Sequence, residues 1–103
     1  MVANFNIELI EDDNFDLCVL RGNIDIHAEK YLQELPGKVK TGKIKLDFSE
    51  VGRINSMGIG LLLRCFKKIR DEKEAEVILT GLNTMHTMLF KTTGVFLIAT
   101  SDK

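Results

Sequence analysis

Asp47-Phe48-Ser49-Glu50-Val51-Gly52-Arg53-Ile54-Asn55-Ser56-Met57-Gly58-Ile59-Gly60-Leu61-Leu62-Leu63 is the stretch whose reading decides the fold. Upstream of it and into it, Ile44, Leu46 and Phe48 alternate, so Lys43 to Phe48 reads as a strand. Downstream, Ile59, Leu62, Leu63, Phe66 and Ile69 recur at helical spacing and predict a long helix from Met57 to Arg70 with that stripe in the core. Met57, Leu61, Arg64 and Lys68 lie on a neighbouring face, expected to be partly exposed. Ser56 stands at the junction. A serine there is a favoured N-cap, because its oxygen accepts a bond from a free N–H of the first turn. Asn55 can serve equally well. A capping box is absent, since Ile59 lies three residues after Ser56 and Gly58 three after Asn55.

A strand-to-helix junction in an α/β chain falls at the carboxyl edge of the sheet, where sites cluster. Gly58 and Gly60 each cost a helix about 1 kcal/mol relative to alanine. They are expected where another element, or another protein, comes close to the backbone.

The same patterning extends outward in both directions. Phe5, Ile7 and Leu9 alternate with polar neighbours, Glu11 to Asn14 forms a turn, and Phe15 to Arg21 returns as the second strand of a hairpin. Gly22-Asn23 breaks that strand. Ile26 to Leu35 reads as a helix capped by Asp25, with Ala28, Tyr31, Leu32 and Leu35 on one face. Pro36-Gly37 ends it. Glu76 to Thr80 is a short apolar strand, best placed centrally. A last helix runs from Asn83 or Thr84 to about Phe90, with Gly94 as its C-terminal cap. Val95 to Ala99 adds a short strand or a packed tail. Strands alternating with helices after an opening hairpin imply a mixed sheet with parallel crossovers.

Composition bounds the function. The chain of 103 residues is read as one domain, 1–103, and its 45% apolar content suffices for one core. A net charge of −1 gives no electrostatic case for nucleic acid or an anionic membrane. The basic run Lys67, Lys68, Arg70 is followed at once by Asp71, Glu72 and Glu74 and reads as a solvated helix end. Cys18 and Cys65 are expected to be buried free thiols of a reduced compartment. His27 and His86 have no second ligand at metal spacing. The opening Met1-Val2-Ala3-Asn4-Phe5-Asn6 lacks a secretory pattern, and no apolar run approaches the roughly 20 residues that span a bilayer. The expected location is the cytoplasm, with no membrane insertion. Ser56 has no neighbouring base in sequence, and neither a GxSxG elbow nor a P-loop is present. An enzyme is therefore the weaker class, and no cofactor is implied.

The run Leu46-Asp47-Phe48-Ser49 with Val51 and then Ile54-Asn55-Ser56-Met57-Gly58-Ile59-Gly60 resembles the signature of STAS domains, and among them the bacterial anti-sigma factor antagonists. Leu20-Arg21-Gly22-Asn23-Ile24-Asp25 is similar to the family's turn after the second strand. Val77 to Asn83 resembles its fourth strand and loop, and Leu89 to Val95 the end of its last helix. The resemblance implies a STAS-like α/β domain that works as a regulatory binding module. Ser56 would be the phosphorylated serine. The contact surface would comprise Asn23, Asp25, Asn55, Ser56, Met57, Gly58 and Leu61. The implied partners are an anti-sigma factor that is also a serine kinase of GHKL type, and a metal-dependent serine phosphatase that resets the switch. Two departures stand out. Asn55 occupies a position where the family has Asp, and Met57 one where it has a second hydroxyl, so one hydroxyl remains at the switch. A partner switch with another output, a structural STAS subunit of a transporter complex, and a nucleotide-binding protein or enzyme stay open as alternatives.

Overall fold

The computed structural model describes residues 5–102. The opening residues read above for the absence of a leader fall partly outside this range, at 1–4. Element order is β1 (Asn6–Glu11), β2 (Asp16–Ile24), a 3₁₀ turn (Ile26–Ala28), α1 (Glu29–Lys38), β3 (Lys43–Ile54), α2 (Ser56–Lys73), β4 (Glu76–Thr80), α3 (Thr84–Thr93), a second 3₁₀ turn (Val95–Leu97) and β5 (Thr100–Ser101). The sheet runs β1-β2-β3-β4-β5. β1 and β2 form the expected antiparallel hairpin, and every later neighbour is parallel.

Each crossover steps one strand further in the same direction, so right-handed connections place all three helices on one face. The strand side chains obey this. Cys18, Leu20 and Ile24 of β2, Ile44, Leu46 and Phe48 of β3, and Val77 and Leu79 of β4 are buried toward the helices. The alternate positions Lys45, Asp47 and Ile78 are only half-buried on the open face. That face is laced by Arg21, whose guanidinium reaches Glu8 at 3.0 Å and Glu50 at 3.3 Å. α2 lays Ile59, Leu62, Phe66 and Ile69 into the core, as its stripe predicts. Cys18 and Cys65 are both buried and unpaired. Burial pushes each thiol up to about 12, which makes them inert packing residues.

Several expectations are corrected. β2 continues through Gly22-Asn23 to Ile24, because β3 offers it a partner as far as Ile54, with register shifts between Val19/Arg21 and Gly22/Ile24. β3 is accordingly twice as long as its apolar alternation suggests. The central strand is β3, not β4, whose outer neighbour is the two-residue β5. Pro36 does not end α1, which passes through it to Lys38. The ring costs only the bond to the Leu32 carbonyl, in the last turn, and it is itself buried in the core side of the helix.

Asp16, at the start of β2, holds the α1–β3 connection. Its Oδ2 accepts from the N–H groups of Lys40 and Thr41 at 2.9 Å each and lies 3.0 Å from the Thr41 hydroxyl. Burial by itself would raise this carboxyl. The two N–H groups, the hydroxyl and the Lys40 charge outweigh it and hold the group below the ordinary carboxylate value. A depressed folded value gives stability that is present above the unfolded value near 3.9 and is lost as pH falls through the folded one. Asp16→Asn is therefore expected to lose about 1–3 kcal/mol at neutral pH. That deficit should shrink below about pH 4. Urea melts of both chains at pH 7 and pH 3 check this, and a deficit independent of pH would show that the charge is not what holds the loop.

Candidate functional site

The carboxyl edge of the parallel strands gathers the ends of β2 and β3 and the first turns of α2 and α3. The β3 exit is held to β2 by two bonds. The Arg53 N–H donates to Asn23 Oδ1 at 2.9 Å, and the Asn55 N–H donates to the Ile24 carbonyl at 3.2 Å. Asn23 thus anchors the exit within its own chain, while its residue remains exposed. Asp25 accepts the His27 N–H at 2.9 Å and caps the 3₁₀ turn, as its position predicts.

The cap of α2 is resolved in favour of Asn55. It has extended backbone, and its Oδ1 accepts the Gly58 N–H at 2.8 Å. Ser56 is consequently the first helical residue. It is exposed, and among the described residues no hydrogen bond reaches its hydroxyl. No acidic side chain occupies the first turn, so the free N–H groups and dipole of α2 face solvent uncompensated.

The two glycines separate into different roles. A Cβ on Gly58 would collide with the Ile24 carbonyl group and side chain, so this glycine lets α2 sit down on the end of β2. Among the described residues nothing lies within 4 Å of a Cβ on Gly60. Gly60 is one turn on from Ser56 on the same face and leaves bare backbone beside the hydroxyl. Gly58→Ala is expected to cost about 1–3 kcal/mol by overpacking against backbone. Gly60→Ala is expected to add about 0.5–1 kcal/mol, through helix propensity. Thermal melts of the two variants should move in opposite directions; a stabilised Gly58→Ala would contradict the close packing.

Met57 is 46% exposed and Leu61 only 3%. The expectation that the two share a docking face is corrected for Leu61. α1 packs beside α2 on the same side of the sheet, and Leu61 lines the cleft between them with Leu32, Pro36 and Cys65. The helix has two covered faces, one against the sheet and one against α1, which a single core stripe does not anticipate. Ile26, 47% exposed in the segment after Ile24, supplies an apolar side chain that the sequence reading did not single out.

Sequence reasoning also missed His86. It is 2% exposed in the first turn of α3, its N–H donates to the cap Asn83 at 2.7 Å, and its Nε2 lies 2.9 Å from the Gly52 carbonyl. Among the described residues no group of His, Cys, Asp and Glu could hold a metal ion, and no helix is long and apolar enough to cross a membrane.

Fold and edge together define a small α/β domain with five strands and three helices that presents a free hydroxyl, Ser56, at the start of α2; Thr84 stands likewise at the start of α3, after its cap Asn83. Residues 6–102 match the STAS domain family, and the chain belongs to it. The anti-sigma-B factor antagonist of Listeria monocytogenes is 32% identical over 97 residues, covering 89% of this chain and 83% of that protein. The unphosphorylated anti-sigma factor antagonist SpoIIAA superposes with a TM-score of 0.72 at 18% identity, over 96% of this chain and 88% of that one. The phosphorylated form of SpoIIAA, a cell-fate determinant of Bacillus, gives a TM-score of 0.65 at 16% identity, over 96% and 91%.

Proposed function

We propose that this chain is an anti-sigma factor antagonist of a bacterial partner-switching system, controlled by phosphorylation of Ser56. The observation that carries the reading is the division of labour at the start of α2. Asn55 does the capping, and the Ser56 hydroxyl is left exposed and unbonded. A serine needed for the fold would be engaged; this one is available to a kinase. The unphosphorylated chain binds an anti-sigma factor that is also a serine kinase of GHKL type, and binding frees that protein's other partner. A metal-dependent serine phosphatase resets the modified chain. The transferred group and the catalytic machinery belong to the kinase, and this chain supplies the hydroxyl.

Phosphoserine brings about −1.5 to −2 charges and three acceptor oxygens. At the first residue of α2 these meet free N–H groups and the positive end of the dipole, so the domain tolerates them. At a fitted interface the same group is bulky and costly to desolvate. The contact surface on this reading comprises Asn55, Ser56, Met57 and the bare backbone at Gly60, with Asn23, Asp25 and Ile26 beside them; Gly58, expected there from the sequence, is buried against Ile24 and drops out. The 32% identity to a protein named as an anti-sigma-B factor antagonist supports the same reading.

Intact-mass and fragment spectra of the chain isolated from its own cells test it. Phosphate is expected at Ser56 and to vary with growth conditions. Modification confined to Ser49 or Thr84, with Ser56 untouched while the pathway switches, would overturn the assignment.

A further inference from the structure

We propose that His86 is a positioning residue for the Ser56 switch: its imidazole stands in for the strand that β3 lacks beyond Asp47, and pins the Gly52 carbonyl so that the β3 exit presents the serine in one orientation. This rests on the reading of Ser56 as the phosphorylated hydroxyl.

β2 accompanies β3 as far as Ile54, but β4 pairs only with Lys43 to Asp47. From Phe48 onward one side of β3 has no neighbouring strand among the described residues. A backbone carbonyl on that side needs a donor from elsewhere. Gly52 finds it in His86 Nε2, at 2.9 Å. A carbonyl can only accept, so the proton sits on Nε2 and Nδ1 is a bare acceptor. Nδ1 is buried, with no partner among the described residues. The ring is held edge-on to Phe48, with centroids 6.3 Å apart, and stacked on Phe90 at 6.4 Å.

An orphaned buried acceptor is a cost that an apolar residue in the same aromatic site would avoid. What the imidazole gives in return is the bond to Gly52. Opposite it, Asn23 holds Arg53 and Ile24 holds Asn55. The segment leading into Ser56 is thereby clamped from α3 on one side and β2 on the other. Phosphoryl transfer depends on holding the attacking hydroxyl in line, so loosening one clamp lowers turnover rather than docking.

The test uses the full chain with His86→Leu, which removes the donor, and His86→Gln, which keeps one. His86→Phe fills the same space if the leucine variant does not fold, and carries the same expectation. Two measurements are made on each. One is amide hydrogen exchange at Arg53 and Asn55. The other is steady-state phosphorylation of Ser56 by the purified serine kinase that is captured on Ser56→Ala chain. In His86→Leu, exchange at those two amides should rise about tenfold and kcat fall about tenfold, with KM within about twofold, and His86→Gln should recover part of both. Exchange that rises evenly across the sheet with kcat unchanged would make His86 a core residue only. Unchanged exchange at Arg53 and Asn55, with the wild type phosphorylated normally, would overturn the positioning role alone. A wild-type chain that accepts no phosphate at Ser56 would overturn the switch reading and this proposal with it.

Discussion

Leu61→Lys is expected to unfold the domain or to remove at least about 3 kcal/mol of its stability. A domain of this size has about 5–15 kcal/mol in total, so the loss is a large share of it. Leu61 is 3% exposed, in the wall shared by α1 and α2. A lysine there meets water along the cleft of about 360 Å³ that Leu32, Gln33, Pro36, Leu61, Arg64, Cys65 and Lys68 line. That route leads toward Arg64 and Lys68, so like charge opposes the escape. Met57→Lys is the control. Its side chain is exposed, and stability should stay within about 0.5 kcal/mol of wild type. Guanidinium melts of the two variants check the contrast. If Met57 contributes to docking, its variant loses partner affinity while remaining folded. A Leu61→Lys chain that melts like wild type would restore Leu61 to the docking surface.

The pair also shows where sequence reasoning stops. The alternation of Ile44, Leu46 and Phe48 and the stripe Ile59–Leu62–Phe66–Ile69 are legible because each records a single neighbour, the sheet or the helix layer. Leu61 records a second neighbour, α1, and nothing in the local pattern says that a helix will lie there. The second half of β3 was equally hidden. Ser49, Glu50, Gly52 and Arg53 are exposed, and the strand persists because β2 pairs with it; backbone pairing leaves no side-chain periodicity to read. Pro36 stays inside α1 because it falls in the last turn, where one missing bond is cheap and its ring is buried. The placement of the serine and its two glycines at the junction of β3 and α2 was legible from spacing. Which of Asn55 and Ser56 caps the helix was not, since both residue types cap well and the choice is a matter of one residue of register. His86 had no signal at all: a single histidine in an amphipathic helix looks the same whether it faces solvent or a strand's unpaired carbonyl.

Phosphorylation of Ser56 is expected to weaken binding of the proposed anti-sigma partner by at least about 100-fold, a change of about 2.7 kcal/mol. The domain itself should keep its fold. Asn55 retains the cap whatever Ser56 carries, because the cap bond runs from the Gly58 N–H to the Asn55 side chain. The phosphate sits beside free N–H groups in a first turn that holds no acidic side chain to repel it, so thermal stability should be unchanged or slightly raised. The interface receives the same group differently. Gly60 gives a partner access to the backbone one turn from Ser56, and a doubly charged group at that point must be desolvated or must hold the surfaces apart. Ser56→Ala removes the acceptor of phosphate without disturbing the cap and should bind constitutively. Ser56→Asp should weaken binding less than phosphoserine does, since it carries one charge on a shorter side chain. Calorimetric titration of the partner into wild type, chemically phosphorylated chain and both variants, beside thermal melts of each, measures the two effects separately. Equal affinities across the four would make Ser56 an ordinary first-turn residue. A large loss of stability on phosphorylation would place the switch in the fold instead of the interface.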